Sequence, residues 1–496
     1  MNHLLCGLAA NAALPSELVD RLIARADDDI AGDLARRTDL THAQAVELAS
    51  RVAESAPQLA YGGRLTADDI DPLTHPRAAL ALLEEGNGRE EWTRLFAADP
   101  VVERRERLAA CPGLPADVAE TLAADPDVRV VAELARWTTT SGLAARLATH
   151  PHTEVRRGVA ANEATPPSVL ARLIDGAELP PARWCPACDG SDVPFGLPPG
   201  ASCDDGSHED AVTELWRTAV QNPTTPAEAV AGFADHPSLL LRLLLAARPD
   251  LPSAVRRRLA ADPCPAVRAD LARNPAVDEA LIRRLAADEA PDVLRGLAHH
   301  PRVPLDVLAR LTAATRIGPT LLPRIADASA AEVESLARSP HPELRMLLAE
   351  RRDLPPAVRD ALAADTDAKV VRSLAPHPGL SEAQLGAILD RHGGQVAARV
   401  AANPDATPAL LERLSRAEPP VRKALREIAG HRHATAPALL ACLADARARP
   451  TAAGRPALPP PVVVELLSDP DWQVVEAAAA NPSLPLAVMT ALVRDV

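Results

Sequence analysis

Apolar residues along this chain fall in pairs four positions apart, and the pairs recur with a step of 26. One pair of columns runs Ala229, Val255, Leu281, Val307 and Phe233, Leu259, Leu285, Leu311. A second runs Leu241, Val267, Val293 and Leu245, Leu271, Leu297, and resumes at Leu344, Val370, Val396 and Leu348, Leu374, Val400. Positions i and i+4 share one helix face, so each period predicts two short helices with an apolar stripe apiece.

Prolines punctuate the same step at Pro223, Pro249, Pro275 and Pro301. Pro249 ends the helix before it, having no N–H to donate, and Leu251-Pro252 starts the next, where that N–H is not needed. Thr165-Pro166, Thr225-Pro226 and Thr407-Pro408 hold the corresponding place in other units and read as N-caps. Turns such as Asp125-Pro126, His150-Pro151 and Asp262-Pro263 separate the two helices. Helices shorter than about 12–15 residues are marginal alone, so stacking on neighbours must stabilise them. About sixteen or seventeen units fill the chain, as repeat architectures require several to close a core. The predicted fold is an all-α solenoid of two-helix repeats of about 26 residues. Repeats occupy 1–175 and 211–496, a Cys-rich insertion occupies 176–210, and the Pro/Ala-rich stretch 447–461 reads as a loop.

Composition narrows this further. Of 496 residues 47% are hydrophobic but only 2% aromatic, and the net charge is −14. That charge disfavours nucleic acid and anionic membranes as partners. No apolar run approaches the ~18 residues of a membrane span, and the first residues lack the basic start of a secretory signal. Seven cysteines are too few and odd for a disulfide framework, which points to the reducing cytoplasm.

The unit Ala402-Asn403-Pro404-Asp405-Ala406-Thr407-Pro408, followed by Leu410, Leu411, Leu414 and Val421-Arg422, resembles the leucine-rich repeat variant family. Asp262 with Val267-Arg268 resembles the signature of HEAT-type units. The resemblance spans nearly the whole chain and implies a right-handed superhelix of paired helices. It is almost silent on function. Some members of that family bind an iron–sulfur cluster in a cysteine module placed before the repeats, whereas here the cysteines interrupt them.

The sharpest chemistry is Trp184-Cys185-Pro186-Ala187-Cys188-Asp189-Gly190, then Cys203 and His208. Two thiolates on one knuckle, a third thiolate and an imidazole complete the tetrahedral shell that a structural zinc ion takes. Gly190 permits the tight turn, and the Pro- and Gly-rich stretch 193–200 has no core of its own, so metal binding would fold it. An iron–sulfur cluster is the alternative occupant, and a flexible loop with free thiols the bland reading. Arg156, Arg242, Arg268 and Arg345 form a column on the second helices, with Arg295 and Arg372 one place on. They read either as a basic stripe for an acidic partner or as a ladder pairing with turn carboxylates, the ladder being favoured. Trp137 stands where another unit has Asn274, and is a candidate anchor for a partner. Walker, dinucleotide, HExxH and GxSxG motifs are absent, and no catalytic residue is assigned. These features predict a non-enzymatic scaffold for protein–protein interaction with a metal-stabilised insertion. Two alternatives stand beside it: a HEAT-like enzyme acting on nucleic acid, of the DNA glycosylase type, and a metal or iron–sulfur redox protein.

Overall fold

The computed structural model describes residues 2–176, 178–190, 203 and 208–494, so the stretch 193–200 lies outside the described residues. Those residues form helices and turns without a strand; His152 and Trp184 alone make an isolated bridge. Two compact units divide the chain: Leu65–Leu311, and Met1–Arg64 together with Thr312–Val496.

Each unit is a stack of two-helix repeats. In the first, Ser253–Leu259 and Pro265–Arg273 make one repeat, and Glu279–Leu285 and Pro291–Ala298 the next. Proline opens both second helices, as its missing N–H allows. The second-helix columns Leu241, Val267, Val293 and Leu245, Leu271, Leu297 are all buried. So are the first-helix columns, except Ala229 and Val255, which are half-buried.

Two polar ladders tie the repeats together. The first caps the second helices. Asn274 Nδ2 donates to the carbonyls of Ala246 and Arg248 in the preceding repeat, at 2.8 and 2.6 Å, while its Oδ1 accepts the N–H of Ala276. Asn162, Asn222, Asn403 and Asn481 repeat this bonding. Arg248 fills the same slot with its Nη1 on the Val220 and Asn222 carbonyls, braced by Asp250. The terminal carbonyls of a buried helix have no partner within their own helix, and one left unsatisfied costs about 1–3 kcal/mol. In these repeats one side chain therefore closes the end of the repeat before it; Trp137, in the same slot, bonds Glu133 on its own helix instead.

The second ladder crosses the turns. Arg242, Arg268 and Arg345 reach Asp262, Asp288 and Asp365 of the next repeat, each at 2.7 Å, and each Arg also donates to a carbonyl of its own turn. Each Asp in turn accepts the N–H two residues on. Arg105 and Asp125 form the same pair. The Arg268 guanidinium holds the Asp288 carboxyl below its usual range.

In the second unit the stack does not end with the last repeat. The helix Asn2–Ala10 packs on Trp472–Ala479, and Asn11 Nδ2 donates to the carbonyls of Ala479 and Asn481. The Arg25 guanidinium reaches the Val493 carbonyl at 2.5 Å, and the His3 ring stacks on Trp472 with centroids 4.5 Å apart. The N-terminal repeat thus follows the C-terminal one as if the chain had run on.

Two expectations fail. Of the three Thr-Pro caps only Thr407 bonds a helix N–H. Thr165 and Thr225 are buried and donate instead to the Val159 and Ala219 carbonyls, so Pro166 and Pro226 become the cap positions. The stretch 447–461 is also no plain loop. It holds the helix Arg449–Ala453, with Pro450 in its first turn and Ala452 and Ala453 buried against the stack. Small side chains let that short helix approach Trp472–Ala479, and its Pro content marks a helix start rather than a break.

Backbone contact sets the sign of a simple substitution. A Cβ on Gly158 would collide with the Ala132 carbonyl of the preceding repeat, whereas one on Gly386 in Glu382–His392 meets open space. Gly158→Ala should lower the thermal midpoint, at a cost of about 1–3 kcal/mol from forced separation of the repeats. Gly386→Ala should raise it by about 0.5–1 kcal/mol through helix propensity.

The capping slot also makes stability depend on pH. His300 and His431 occupy it with Nε2 on the Asn274 and Asn403 carbonyls and Nδ1 accepting the N–H two residues on, which fixes the neutral tautomer. Burial lowers both pKa values from the ordinary 6.5. Below about pH 6.5 the unfolded chain therefore binds protons that the folded one refuses, and stability falls with pH down to the folded pKa. Replacing both by Asn, which fills the slot elsewhere without titrating, should shrink the loss of the urea midpoint between pH 7 and 5.

Candidate metal centre

The insertion begins on a repeat turn. The N–H groups of Arg183 and Trp184 both donate to the Pro151 carbonyl, at 2.8 and 3.2 Å, and the Thr153 N–H donates to the Trp184 carbonyl at 3.0 Å. His152, fully packed, reaches Asp189 with Nε2 at 2.9 Å while its Nδ1 accepts the Glu154 N–H. Burial lowers its pKa, and the bond to Asp189 opposes that shift. Arg156 has no turn Asp to meet, because the insertion fills the place of the next turn. It donates instead to the carbonyls of His150 and Pro180, and burial lowers its pKa.

From this anchor the one-turn helix Pro186–Asp189 forms the knuckle. The Cys188 and Asp189 N–H groups donate to the Cys185 carbonyl, and the Cys185 N–H donates to Cys188 Sγ at 3.1 Å. Gly190 closes the turn at φ 71°, a left-handed conformation that favours glycine. His208 stands at φ 54° immediately before the helix Glu209–Gln221, a tight bend that delivers its imidazole to the thiols.

Cys185, Cys188, Cys203 and His208 converge, with one ligand atom from each within 4.8 Å of every other. Cys203 Sγ lies 2.8 Å from His208 Nδ1, and Cys188 Sγ 3.9 Å from it. A tetrahedral shell with bonds of about 2.0–2.3 Å spaces its ligand atoms about 3.5–3.8 Å apart, so modest shifts would seat an ion. Cys185 and His208 are buried, and Cys188 is exposed. Burial pushes the Cys185 thiol up to about 11, and a bound cation would reverse this by stabilising the thiolate. The donor set fits a metal ion. Four ligands from the chain itself fill a tetrahedral shell and leave no open position.

The other candidates lie elsewhere. Arg242, Arg268 and Arg345 are turned into the stack, as described above; the Arg242 side chain is 15% exposed. Arg295 pairs with Asp292 on its own helix. Trp137 is 55% exposed and donates its indole N–H to Glu133 at 2.6 Å. The spacing of three cysteines and His208 marked the four ligands. The His152–Asp189 bond escaped sequence reasoning, because nothing local marks two residues 37 apart as partners.

No family model matches the chain, and no curated protein matches it. Among solved structures it is similar to an engineered protein determined by crystallography for a structural genomics programme, at 14% identity and a TM-score of 0.21. The match covers 93% of this chain and 98% of that one.

Elemental analysis should return one zinc per chain for the purified protein and none for Cys188→Ser. Treating the wild type with a strong chelator should open 183–208 to trypsin at Arg183 before the repeats are cut. A brown, iron-containing protein would instead identify a cluster.

Proposed function

We propose that this protein is a repeat scaffold of the leucine-rich repeat variant type, which binds another protein along its helical surface. Cys185, Cys188, Cys203 and His208 would hold a zinc ion, which would fold the insertion into a rigid projection. The observation that carries this reading is the closed set of four ligands, anchored by His152 and Asp189 to a repeat turn. A full shell supports a structural ion, since catalysis needs an open position. The pairing of Arg242, Arg268 and Arg345 within the stack favours a protein partner over nucleic acid, because those guanidiniums are not offered to phosphates. No helix among the described residues is long and apolar enough to cross a membrane.

Cross-linking of the full chain in cell extract tests the reading. The expected result is a protein recovered in constant stoichiometry, at reduced yield with the Cys185→Ser, Cys188→Ser variant, and no binding of duplex DNA at low salt. Tight DNA binding without a protein partner would overturn it.

A further inference from the structure

Within the unit formed by Met1–Arg64 and Thr312–Val496 lies a cavity of about 740 Å³. Its floor comes from three successive second helices, Pro342–Leu348, Ala368–Leu374 and Gly394–Ala401, and the segment 312–319 forms one wall. Arg316, Arg372 and Arg399 line it, all exposed, and none of the three guanidiniums has an ion pair or hydrogen bond among the described residues. Arg345, on the first of these helices but outside the cavity, is by contrast engaged with Asp365. Ser373 adds a second, independent sign. It is 95% buried, lines the cavity, and its hydroxyl has no partner. Buried polar groups are ordinarily satisfied, so an orphan beside an open cavity marks a place for a ligand atom. Ile317, half-buried, and Pro319, exposed, supply the apolar part of the lining, with Met346 and Leu347 packed into the stack beneath. Two acids also line the cavity: Glu343 is neutralised by Lys369 at 3.4 Å, and Glu350 remains.

We infer that this cavity binds an extended acidic peptide segment of a partner protein, its carboxylates on Arg316, Arg372 and Arg399 and an apolar side chain against Ile317 and Pro319. The inference rests on the scaffold reading and names the chemistry of the partner. Arg372 and Arg399 stand on neighbouring repeats, so their charges are spaced by the stack and match a series of carboxylates better than a single compact anion. Three packed helices span about 16–20 Å, which an extended chain of about five or six residues crosses. Guanidinium binds carboxylate with two parallel hydrogen bonds, and the Ser373 hydroxyl can donate to a backbone carbonyl of the segment. The net charge of −14 repels acidic chains from the rest of the surface, which makes a local cluster of unpaired cations selective.

The test uses the full chain and a labelled peptide of sequence Glu-Leu-Glu-Glu-Leu-Glu, followed by fluorescence anisotropy. The expected result is saturable binding, weakened at least tenfold by Arg372→Gln with Arg399→Gln and unchanged by Arg257→Gln, an exposed arginine of the other unit. The peptide with Gln for Glu should not bind. Ser373→Ala should weaken binding without lowering the thermal midpoint. Equal binding to the double variant, no binding at all, or full displacement by millimolar inorganic phosphate would overturn the inference, even where cross-linking still recovers a protein partner. Peptide binding as expected, in a protein that captures no partner, would uphold this site and overturn the scaffold reading instead.

Discussion

Where a second helix of this protein ends in the interior, its last carbonyls must find donors there. That requirement governs the architecture. A helix of eight or nine residues has as many orphan carbonyls as a long one, so short repeats carry the problem at high density. In the repeats that carry the slot, the solution is one donor-rich side chain reaching back to the repeat before. Asn, His and Arg all serve, since each presents an N–H at the right reach. Asn and His also accept a backbone N–H, which fixes the turn that follows. Apolar burial makes the repeats adhere, but this bond sets their register, because a slip would strand several buried carbonyls at once.

The arginine–aspartate ladder does the same work at the other end of the second helix. Its members are more than eight-tenths packed, and each carboxylate also accepts a backbone N–H. A buried ion pair contributes little unless its remaining donors and acceptors are satisfied. Here they are, by the turn itself. The insertion shows what happens when a rung is missing. Arg156 keeps its own turn carbonyl, and the Pro180 carbonyl stands in for the absent carboxylate. The knuckle is therefore tethered through a vacancy in the repeat pattern rather than through a surface of its own.

Much of this was legible in the sequence, for identifiable reasons. Periodicity exposes the buried columns because burial acts on every repeat alike. The Cys-x2-Cys, Cys and His spacing exposes the ligands because metal geometry is local at the knuckle. The ladder of arginines was visible as a column, and its carboxylate partners as turn residues. What escaped were bonds between sequence-distant places. The Asn11 contact with Asn481 and the His152 contact with Asp189 have no local signature. Thr165 and Thr225 misled because a Thr before Pro serves equally to cap the coming helix or to bond the departing one. The proline-rich stretch near Pro450 misled because proline begins helices as readily as it ends them.

The seating of Asn2–Ala10 on Trp472–Ala479 has a temporal side. Asn11 and its acceptor Ala479 are 468 residues apart. At synthesis rates of about 5–20 residues per second, the first helix leaves the ribosome roughly 25–95 s before the surface it covers exists. During that interval its greasy side is an unmet obligation. Residues 2–64 must then either wait on their own neighbours, be shielded by a chaperone, or dock on the finished tail of another copy on the same message.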